Sequence, residues 1–331
     1  MRLLVTLIVG ALLAVLLVWP QAFGAQTALF ISQFVAFRAG ASLALGIGAV
    51  LFVVVALWAR TWGIAAGIAI VLAVASVVNV GILLSRGTGG ALRSGDLTVV
   101  AWNTQGGAAT PASVARLVLD TDADIVSLPE MDEHAAAEVA RLVGIEGHRM
   151  AVDTTYGETG DSSIPTSVLI VDHLGEYLVD TSAGSTPGLP SAVWRSVDGS
   201  GPTIVAAHPF PPLPWSLERW RAGLRWVAEQ CDASDVIIAG DLNATVDHLS
   251  GLGVGDGLVG DCQDAAIVAD AGAVGTWPAS VPTWLASPID HVLVGSAWAV
   301  RGVQIVTSFD DEGSDHRPIV VVLDAPPGAR E

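Results

Sequence analysis

The sequence contains no lysine, and its first 93 residues contain neither aspartate nor glutamate. All 33 acidic residues therefore lie in residues 94–331 with ten of the 15 arginines, which gives this part a formal charge of 10 − 33 = −23. Nucleic-acid-binding proteins usually present basic patches to the phosphate backbone, so this charge argues against a polyanionic partner. The acid-free first part is typical of a segment inside a membrane.

Three long apolar runs occupy this first part, at residues 3–19, 41–59 and 62–84. Each is close to the roughly 20 residues that a helix needs to cross the hydrocarbon core of a bilayer. The sequence therefore predicts a membrane region at 1–85 with three transmembrane helices. The alternative for the first run is a cleaved signal peptide. Residues 22–38 are interrupted by Gln and Ser, and we expect them to lie at the interface or to extend the second span.

Three spans would place the two ends of the chain on opposite faces of the membrane. With Arg2 and the turn at residues 59–61 inside, residues 94–331 lie outside the cytoplasm. The sequence has two cysteines, Cys231 and Cys262, both in this outer part. In an oxidising compartment they could form a disulfide, and two buried free thiols are the alternative.

The second part alternates between strand and helix patterns. We predict a Gly/Ser-rich linker at 86–94, one layered α+β domain at 95–325 and a short tail at 326–331. The predicted strands span residues 97–103, 123–130, 167–172, 202–210, 235–241, 288–295 and 317–324. The predicted helices span residues 110–122, 134–144 and 216–231.

Polar side chains of a similar chemical kind lie at the ends of these strands. They are Asn103, Glu130, His208, Asp241, Asn243, Asp290, Asp315 and His316. Strand ends in a layered sheet protein meet along one edge, where so many carboxylates repel each other unless a cation shares them. Oxygen-rich sites of this type select Mg²⁺, and neighbouring histidines suit proton transfer. The pattern predicts metal-dependent hydrolysis of a phosphate ester; taken alone, Asp241 and Asn243 could equally close the strand as an Asx turn.

The same residues fall in six short motifs that follow one another along the chain. They are WN (102–103), LPE (128–130), HP (208–209), GDLN (240–243), IDHV (289–292) and SDHRP (314–318). This ordered set resembles the endonuclease/exonuclease/phosphatase superfamily over essentially all of residues 95–325. The resemblance implies the four-layer α/β/β/α sandwich of that superfamily, with two mixed sheets face to face.

The resemblance also implies a metal site. Glu130 would hold a divalent cation, Mg²⁺ or Mn²⁺, with Asn103 and Asp315 nearby. The sequence departs from the family at Pro129, where a Gln is usual, and it lacks the Arg often found just before the IDHV motif. The first departure should matter little because Glu130 is kept, and we expect the second to alter substrate contacts rather than chemistry.

The remaining residues take the roles of base and phosphate donors by the same resemblance. His316 would be the general base that activates the attacking water, and Asp290 would orient it. Asp241 would position the nucleophile or help to protonate the leaving group. Asn243 and His208 would donate hydrogen bonds to phosphate oxygens. By strand alternation, the neighbour of Asp290 in the motif, His291, is expected to point to the opposite face and to serve packing.

Membrane spans favour an amphiphilic substrate. The HPFPP element (208–212) after a few N-terminal spans is similar to membrane-bound family members associated with teicoplanin resistance. This resemblance implies a polyprenyl phosphate or pyrophosphate, or another envelope lipid, as substrate. The loop at 210–215, Trp277 and Trp284 are candidate substrate walls. The alternative for the loop is a purely rigid connection, and the two tryptophans could also touch membrane lipid. An extracytoplasmic nuclease with the same site is the alternative, and a binding-only envelope protein is a third possibility; no protein partner is evident.

Overall fold

The computed structural model describes residues 2–60, 63–157 and 164–325. The chain divides into two compact units, Met1–Arg86 and Gly87–Glu331, here called the N-terminal and C-terminal units. The predicted tail at 326–331 lies outside the described residues, as do residues 61 and 62 of the predicted turn and third span.

The N-terminal unit consists of helices. They are α1 (Arg2–Val18), a short 3-10 helix (Pro20–Phe23), α2 (Ile31–Ala36), α3 (Arg38–Ala59) and α4 (Ile64–Ser85). By length and composition, the stretches Arg38–Trp58 and Ile64–Ser85 are long and apolar enough to cross a membrane, whereas Leu3–Val18 is shorter. Two of the three predicted spans therefore meet this test. The interrupted segment before α3 forms the 3-10 helix and α2, and is not a continuation of the second span.

The N-terminal unit buries small residues between its helices and turns large apolar side chains outward. A Cβ atom on Gly46 of α3 would lie 3.4 Å from the hydroxyl of Ser76 on α4, so the two helices approach closely. Leu12, Val50 and Val77 are largely exposed. Small residues at helix contacts with apolar residues outside are the arrangement expected in lipid, where apolar surface needs no burial.

One charged side chain is buried in the N-terminal unit. Arg38, the first residue of α3, is 2% exposed. Its Nη1 donates to the carbonyl oxygen of Val18 at 3.1 Å and to Oδ1 of Asn79 at 2.5 Å. These hydrogen bonds connect the end of α1, the start of α3 and the last third of α4, and they supply polar partners to a charge removed from water.

The C-terminal unit contains two six-stranded sheets with helices outside. The strands are β1 (Leu97–Ala101), β2 (Ile125–Pro129), β3 (Met150–Thr155), β4 (Thr166–Val171), β5 (Tyr177–Val179), β6 (Ala192–Ser196), β7 (Thr203–Ala207), β8 (Val236–Asp241), β9 (Leu252–Gly253), β10 (Val259–Gly260), β11 (Gln263–Asp264), β12 (Asp290–Val294), β13 (Ala299–Ile305) and β14 (Ile319–Asp324). The helices are α5 (Pro111–Thr121), α6 (Glu133–Ile145), α7 (Leu217–Gln230), α8 (Val246–Leu249) and α9 (Ala265–Val268).

The strand order is β13-β14-β1-β2-β4-β3 in one sheet and β11-β12-β8-β7-β6-β5 in the other. Both sheets are mixed, because β1 pairs in parallel with β2 and β7 with β8, while their other pairs are antiparallel. Apolar side chains of both sheets, such as Ile125 and Ile237, form a shared core between them. Separate cores lie beneath α5 and α6 on one side and beneath α7 on the other. The predicted α+β sandwich and all ten predicted elements are confirmed.

Residues 87–91, within the segment predicted as a linker, pack against the domain and are here called the strap. The amide of Ala273 donates to the carbonyl oxygen of Gly87 at 2.9 Å, and the amide of Gly89 donates to Asp270 at 3.0 Å. Gly87 has a φ of +79°, and a Cβ atom there would lie 2.0 Å from the Asp270 carbonyl oxygen. Only glycine fits such a close backbone approach.

The two cysteines form a disulfide. Cys231, which follows α7, is bonded to Cys262, which precedes β11, and their Cα atoms are 5.5 Å apart. The bond connects the outer helix layer to the edge of the second sheet. Of the two alternatives open from the sequence, the disulfide is therefore the one that the structure contains.

Candidate active site

The predicted site residues converge because the strands of both sheets end at one edge. Asn103 follows β1, Glu130 follows β2 and His208 follows β7. Asp241 ends β8 and Asp290 begins the antiparallel strand β12, and these two residues are directly paired in the sheet. Adjacent strands thus deliver two buried carboxylates side by side.

His316 and Asp290 form a hydrogen-bonded pair at the centre of this edge. His316 Nδ1 lies 2.9 Å from Asp290 Oδ2, and His316 Nε2 lies 3.8 Å from Asp241 Oδ2. Burial alone would lower the pKa of His316, but the charges of Asp290 and Asp241 outweigh burial and raise it to about 10. Without a further cation, the imidazole is therefore protonated at neutral pH.

Neighbouring residues hold the His316 backbone in place. The hydroxyl of Ser314 donates to the carbonyl oxygen of Asn103 at 2.6 Å and accepts the His316 amide at 3.0 Å. The indole of Trp102 donates to the carbonyl oxygen of His316 at 2.8 Å. Buried Arg317 bonds both oxygens of Asp310, which fixes the chain on the other side of the histidine.

Glu130 and Asp241 meet at the amide of Asn103. Asn103 Nδ2 donates to Glu130 Oε1 at 3.1 Å and to Asp241 Oδ2 at 3.0 Å, while its Oδ1 accepts the Gln105 amide. Asn103 therefore presents its NH₂ group, rather than its carbonyl oxygen, to the two carboxylates. Burial raises the pKa of Asp241, and the neighbouring charge of Asp290 adds to this effect. The charge of His316 acts in the opposite direction and favours the carboxylate form.

His208 faces the same carboxylates in a different protonation state. Its Nε2 lies 3.8 Å from both Glu130 Oε1 and Asp241 Oδ2. Burial lowers the pKa of His208 to about 4, although the charge of Asp241 acts in the opposite direction. Its Nδ1 is buried and has no hydrogen-bond partner among the described residues. A neutral imidazole protonated at Nε2 can donate a hydrogen bond into the cleft.

Asn243 lies beside Asp241 in a left-handed conformation with a φ of +49°. Its backbone N–H donates to Asp241 Oδ1 at 2.8 Å. This contact is the Asx-type turn that was the alternative interpretation of the sequence. Its side-chain Nδ2 donates to the carbonyl oxygen of Pro209 at 3.1 Å. The side-chain amide therefore connects the end of β8 to the segment after His208.

Asp315 lies at the more exposed side of the cleft. Its Oδ1 is 3.9 Å from His316 Nε2, and its Oδ2 accepts a hydrogen bond from the indole of Trp277 at 2.8 Å. The sequence suggested Trp277 as a substrate wall but did not predict this contact. A tryptophan 38 positions away along the chain gives no local signal of such a partner.

The donor set fits a hard divalent cation. Among the described residues, ligand atoms of Asp241, Asp290 and His316 lie within 4.8 Å of one another. Glu130 adjoins this group through the shared contact with Asn103. Carboxylate oxygens in excess of nearby cationic side chains are the ligands that Mg²⁺ and Mn²⁺ prefer. This group differs from the predicted metal set of Glu130, Asn103 and Asp315, because its three members are residues to which the sequence gave catalytic roles.

Comparisons with known proteins agree with this geometry. The model of the Endonuclease/Exonuclease/phosphatase family matches residues 100–316. The fold is similar to the solved structure of an endonuclease/exonuclease/phosphatase from Beutenbergia cavernae, at 20% identity and a TM-score of 0.53, covering 70% of this chain and 72% of that chain. It is also similar to D. rerio TDP2 complexed with a single-strand DNA product, at 17% identity and a TM-score of 0.53, covering 69% and 99% of the two chains. No curated protein matches the sequence.

The family match extends over more than half of the chain. It includes all eight candidate site residues, from Asn103 to His316. Members of this family are metal-dependent hydrolases that act on phosphoester bonds. The chain belongs to the endonuclease/exonuclease/phosphatase family.

Proposed function

We propose that the protein is a membrane-anchored, divalent-metal-dependent phosphoesterase that hydrolyses a phosphate or pyrophosphate ester of an envelope lipid. The observation that carries the chemistry is the His316–Asp290 pair, which faces Asp241, Glu130 and His208 across one cleft. It provides a base, an orienting carboxylate and a neutral donor around the position of one phosphoryl group.

His316 is the general base in this proposal. Asp290 holds Nδ1, so Nε2 faces the cleft and can take a proton from the attacking water. Glu130, Asp241 and Asp315 are the residues whose carboxylates would hold the cation, and the Asn103 amide orients two of them. A bound divalent cation offsets the negative charge of the carboxylates and of the substrate phosphate. Because those carboxylates raise the pKa of His316, offsetting their charge favours the neutral imidazole that acts as a base.

The other side chains stabilise the phosphoryl group. His208, which stays neutral, donates from Nε2 to a phosphate oxygen, and Asn243 donates from Nδ2 when it exchanges the Pro209 carbonyl oxygen for the substrate. Asp241 lies 3.8 Å from Nε2 of both His208 and His316, so as a carboxylate it positions the nucleophile between them.

The membrane anchor is supported by the composition and packing of the N-terminal unit. Helices α3 and α4 have the length and hydropathy of membrane spans, and their outward side chains are apolar. We propose that α1 is a third, shorter span, which directs the C-terminal unit out of the cytoplasm. The Cys231–Cys262 disulfide supports this orientation, because disulfides persist in oxidising compartments.

A nuclease is the second candidate function. It is favoured by the similarity to a TDP2 structure that contains a single-strand DNA product. The charge of residues 94–331 argues against it, since 33 acidic residues face ten arginines and repel a polyanion.

The test uses the full-length protein in detergent with Mg²⁺ or Mn²⁺. A polyprenyl pyrophosphate, a phosphodiester lipid and plasmid DNA are offered in parallel, and each reaction is repeated with a chelator. His316→Ala is the inactive variant and His134→Ala, at an exposed position on α6, is the matched control. Phosphate release from a lipid that is lost with chelator and in His316→Ala supports the proposal. Nicking of the plasmid without lipid turnover assigns the nuclease function instead.

A further inference from the structure

Exposed aromatic side chains of the C-terminal unit lie on segments that are bonded to site residues. Among its described residues, the strongly exposed aromatics are Trp215 at 78%, Trp284 at 59% and Tyr156 at 52%. The exposed apolar residues elsewhere on this unit, such as Leu178 and Val254, are aliphatic. Trp215, Trp284 and Tyr156 are here called the aromatic rim.

Trp215 extends from a loop that is continuous with the catalytic edge. This loop begins at His208, and the carbonyl oxygen of Pro209 accepts the side-chain amide of Asn243. The hydroxyl of Ser216 donates to Pro211 at 2.6 Å and accepts the amide of Leu213 at 3.1 Å. A proline-rich loop closed in this way is stiff. It therefore keeps the Trp215 indole exposed at little cost in conformational entropy.

Trp284 extends from a second fixed loop on the other side of the cleft. Arg317, next to His316, donates to the carbonyl oxygens of Ala279 at 2.6 Å and Val281 at 2.8 Å. The amide of Ala279 donates to the Asp315 carbonyl oxygen at 2.7 Å. The loop that carries Trp284 is therefore bonded to the segment that carries the predicted base.

Tyr156 occupies a third position at the same edge. It follows β3, whose last residue Thr155 pairs with Thr166 at the start of β4. Next to Thr166, the carbonyl oxygen of Pro165 accepts the amide of Glu130 at 2.9 Å. Each rim residue thus lies on a segment that is hydrogen-bonded, directly or through one strand pair, to a site residue.

The strap enters the C-terminal unit close to this edge. Gly87, two positions after the last residue of α4, accepts the amide of Ala273. Ala273 precedes Thr276 by three positions, and the Thr276 hydroxyl accepts the amide of Asp290 at 3.3 Å.

We infer that the aromatic rim is a lipid-contact surface that holds the mouth of the cleft at the headgroup level of a bilayer. Tryptophan and tyrosine favour this level because their rings are apolar and their polar atoms stay hydrated. The acidic surface gives no electrostatic attraction to anionic lipid, so burial of the rings must supply the contact. This inference rests on the proposed function and deepens it, because a lipid phosphate would then enter the site without leaving the membrane.

The first test measures contact without using activity. Single cysteines replace Trp215, Trp284 and Leu178 in the full chain, where Cys231 and Cys262 stay bonded, and each is labelled with an environment-sensitive fluorophore. The proteins are placed in phosphatidylcholine vesicles with a quencher near the headgroup. Leu178, 60% exposed on edge strand β5, is the matched control. Quenching at 215 and 284 at least about twofold stronger than at 178 supports the inference, and equal quenching overturns it.

The second test compares two substrates of the same chemistry, one embedded in vesicles and one with a short, water-soluble chain. In Trp215→Ala/Trp284→Ala, the ratio of the embedded to the soluble rate should fall about tenfold or more, while Leu178→Ala keeps the wild-type ratio. An unchanged ratio in the double variant overturns the inference. So does a selective loss of plasmid cleavage, which would assign the rim to base stacking. If the wild type hydrolyses neither ester, the proposed function fails, and the quenching experiment still decides the role of the rim.

Discussion

Two adjacent residues of β12 each belong to a histidine–aspartate pair, and the two pairs have different surroundings. Asp290 faces the cleft and bonds His316 at 2.9 Å. His291, as expected from strand alternation, points the other way, and its Nδ1 lies 2.5 Å from Asp264 Oδ2. In both pairs burial lowers the pKa of the histidine, and the aspartate charge outweighs burial and raises it.

The difference between the pairs is the position of the second ring nitrogen. His291 Nε2 donates to the buried carbonyl oxygen of Ala244 at 2.7 Å, so both of its nitrogens are engaged inside the protein. His316 Nε2 has carboxylates at 3.8 Å and faces the cleft. The same pair of side chains can therefore serve as a base or as a structural connection. The surroundings of Nε2, the ring nitrogen that does not bond the paired aspartate, decide between these roles. The predictions below test this comparison.

Replacing the cleft histidine should have the largest effect. His316→Ala removes the proposed base and should lower kcat, expressed per folded molecule, by about 10⁴-fold. Hydrolysis of the best substrate measures the rate, and circular dichroism of the same samples measures the folded fraction. A variant that keeps a tenth of wild-type activity would contradict the assignment of His316 as the base.

Breaking the internal pair should instead affect stability. Asp264→Ala leaves His291 buried without its counter-charge, which should cost about 3–5 kcal/mol of the free energy of unfolding. We expect the folded fraction to keep most of its kcat, because Asp264 does not contact the cleft residues. Denaturant unfolding followed by tryptophan fluorescence gives the free energy. An equally stable variant with lost activity would reverse the roles of the two pairs.

Asp290→Asn keeps the shape of the cleft pair but removes its charge. The amide can hold His316 in the wrong tautomer, so kcat should fall by about 10²-fold or more. It also lowers the pKa of His316, because the Asp290 charge that raises this pKa is lost. The proton resonances of His316, followed as a function of pH, test this second effect. If the variant and the wild type give the same titration curve, the Asp290 charge is not what raises the pKa of His316.

The smallest expected effect is a pH dependence of stability that arises from His291. Its pKa is raised in the folded state, so the folded protein binds more protons than the unfolded chain between the two pKa values. The stabilisation is fully present below about pH 6.5, the unfolded value, and is lost as the pH rises through the folded value. The difference in thermal midpoint between wild type and His291→Gln should therefore narrow from pH 6 upward. His134→Gln, at a surface position, should show no such trend.

The strands that were predictable from the sequence are the central ones. The seven predicted strands became β1, β2, β4, β7, β8, β12 and β14, which occupy the interior of the two sheets. Of the missed strands, β3, β5, β11 and β13 lie at the edges of these sheets, β6 lies next to an edge, and β9 and β10 form a separate two-stranded sheet. Central strands are buried on both faces and read as continuous apolar runs, whereas edge strands such as Met150–Thr155 mix polar and apolar residues.

The site could be predicted to a similar extent. Its eight side chains lie at or next to the ends of central strands, so the sheet edge that gathers them could be inferred before any contact was known. The orientation of the Asn103 amide and the bond from Trp277 to Asp315 could not, because they depend on loops that fold back over long sequence separations. The metal-ligand and donor roles of the eight residues stay predictions for the experiments above.

The docked strap also affects how long the catalytic unit would remain attached to the proposed membrane anchor. A glycine-rich segment beside a transmembrane helix would ordinarily be a preferred site of cleavage by proteases. Here Gly87 and Gly89 are held by backbone hydrogen bonds, so a protease must wait for local unfolding before it can bind this stretch. We therefore expect the catalytic unit to resist shedding, and to act only where its anchor has been inserted.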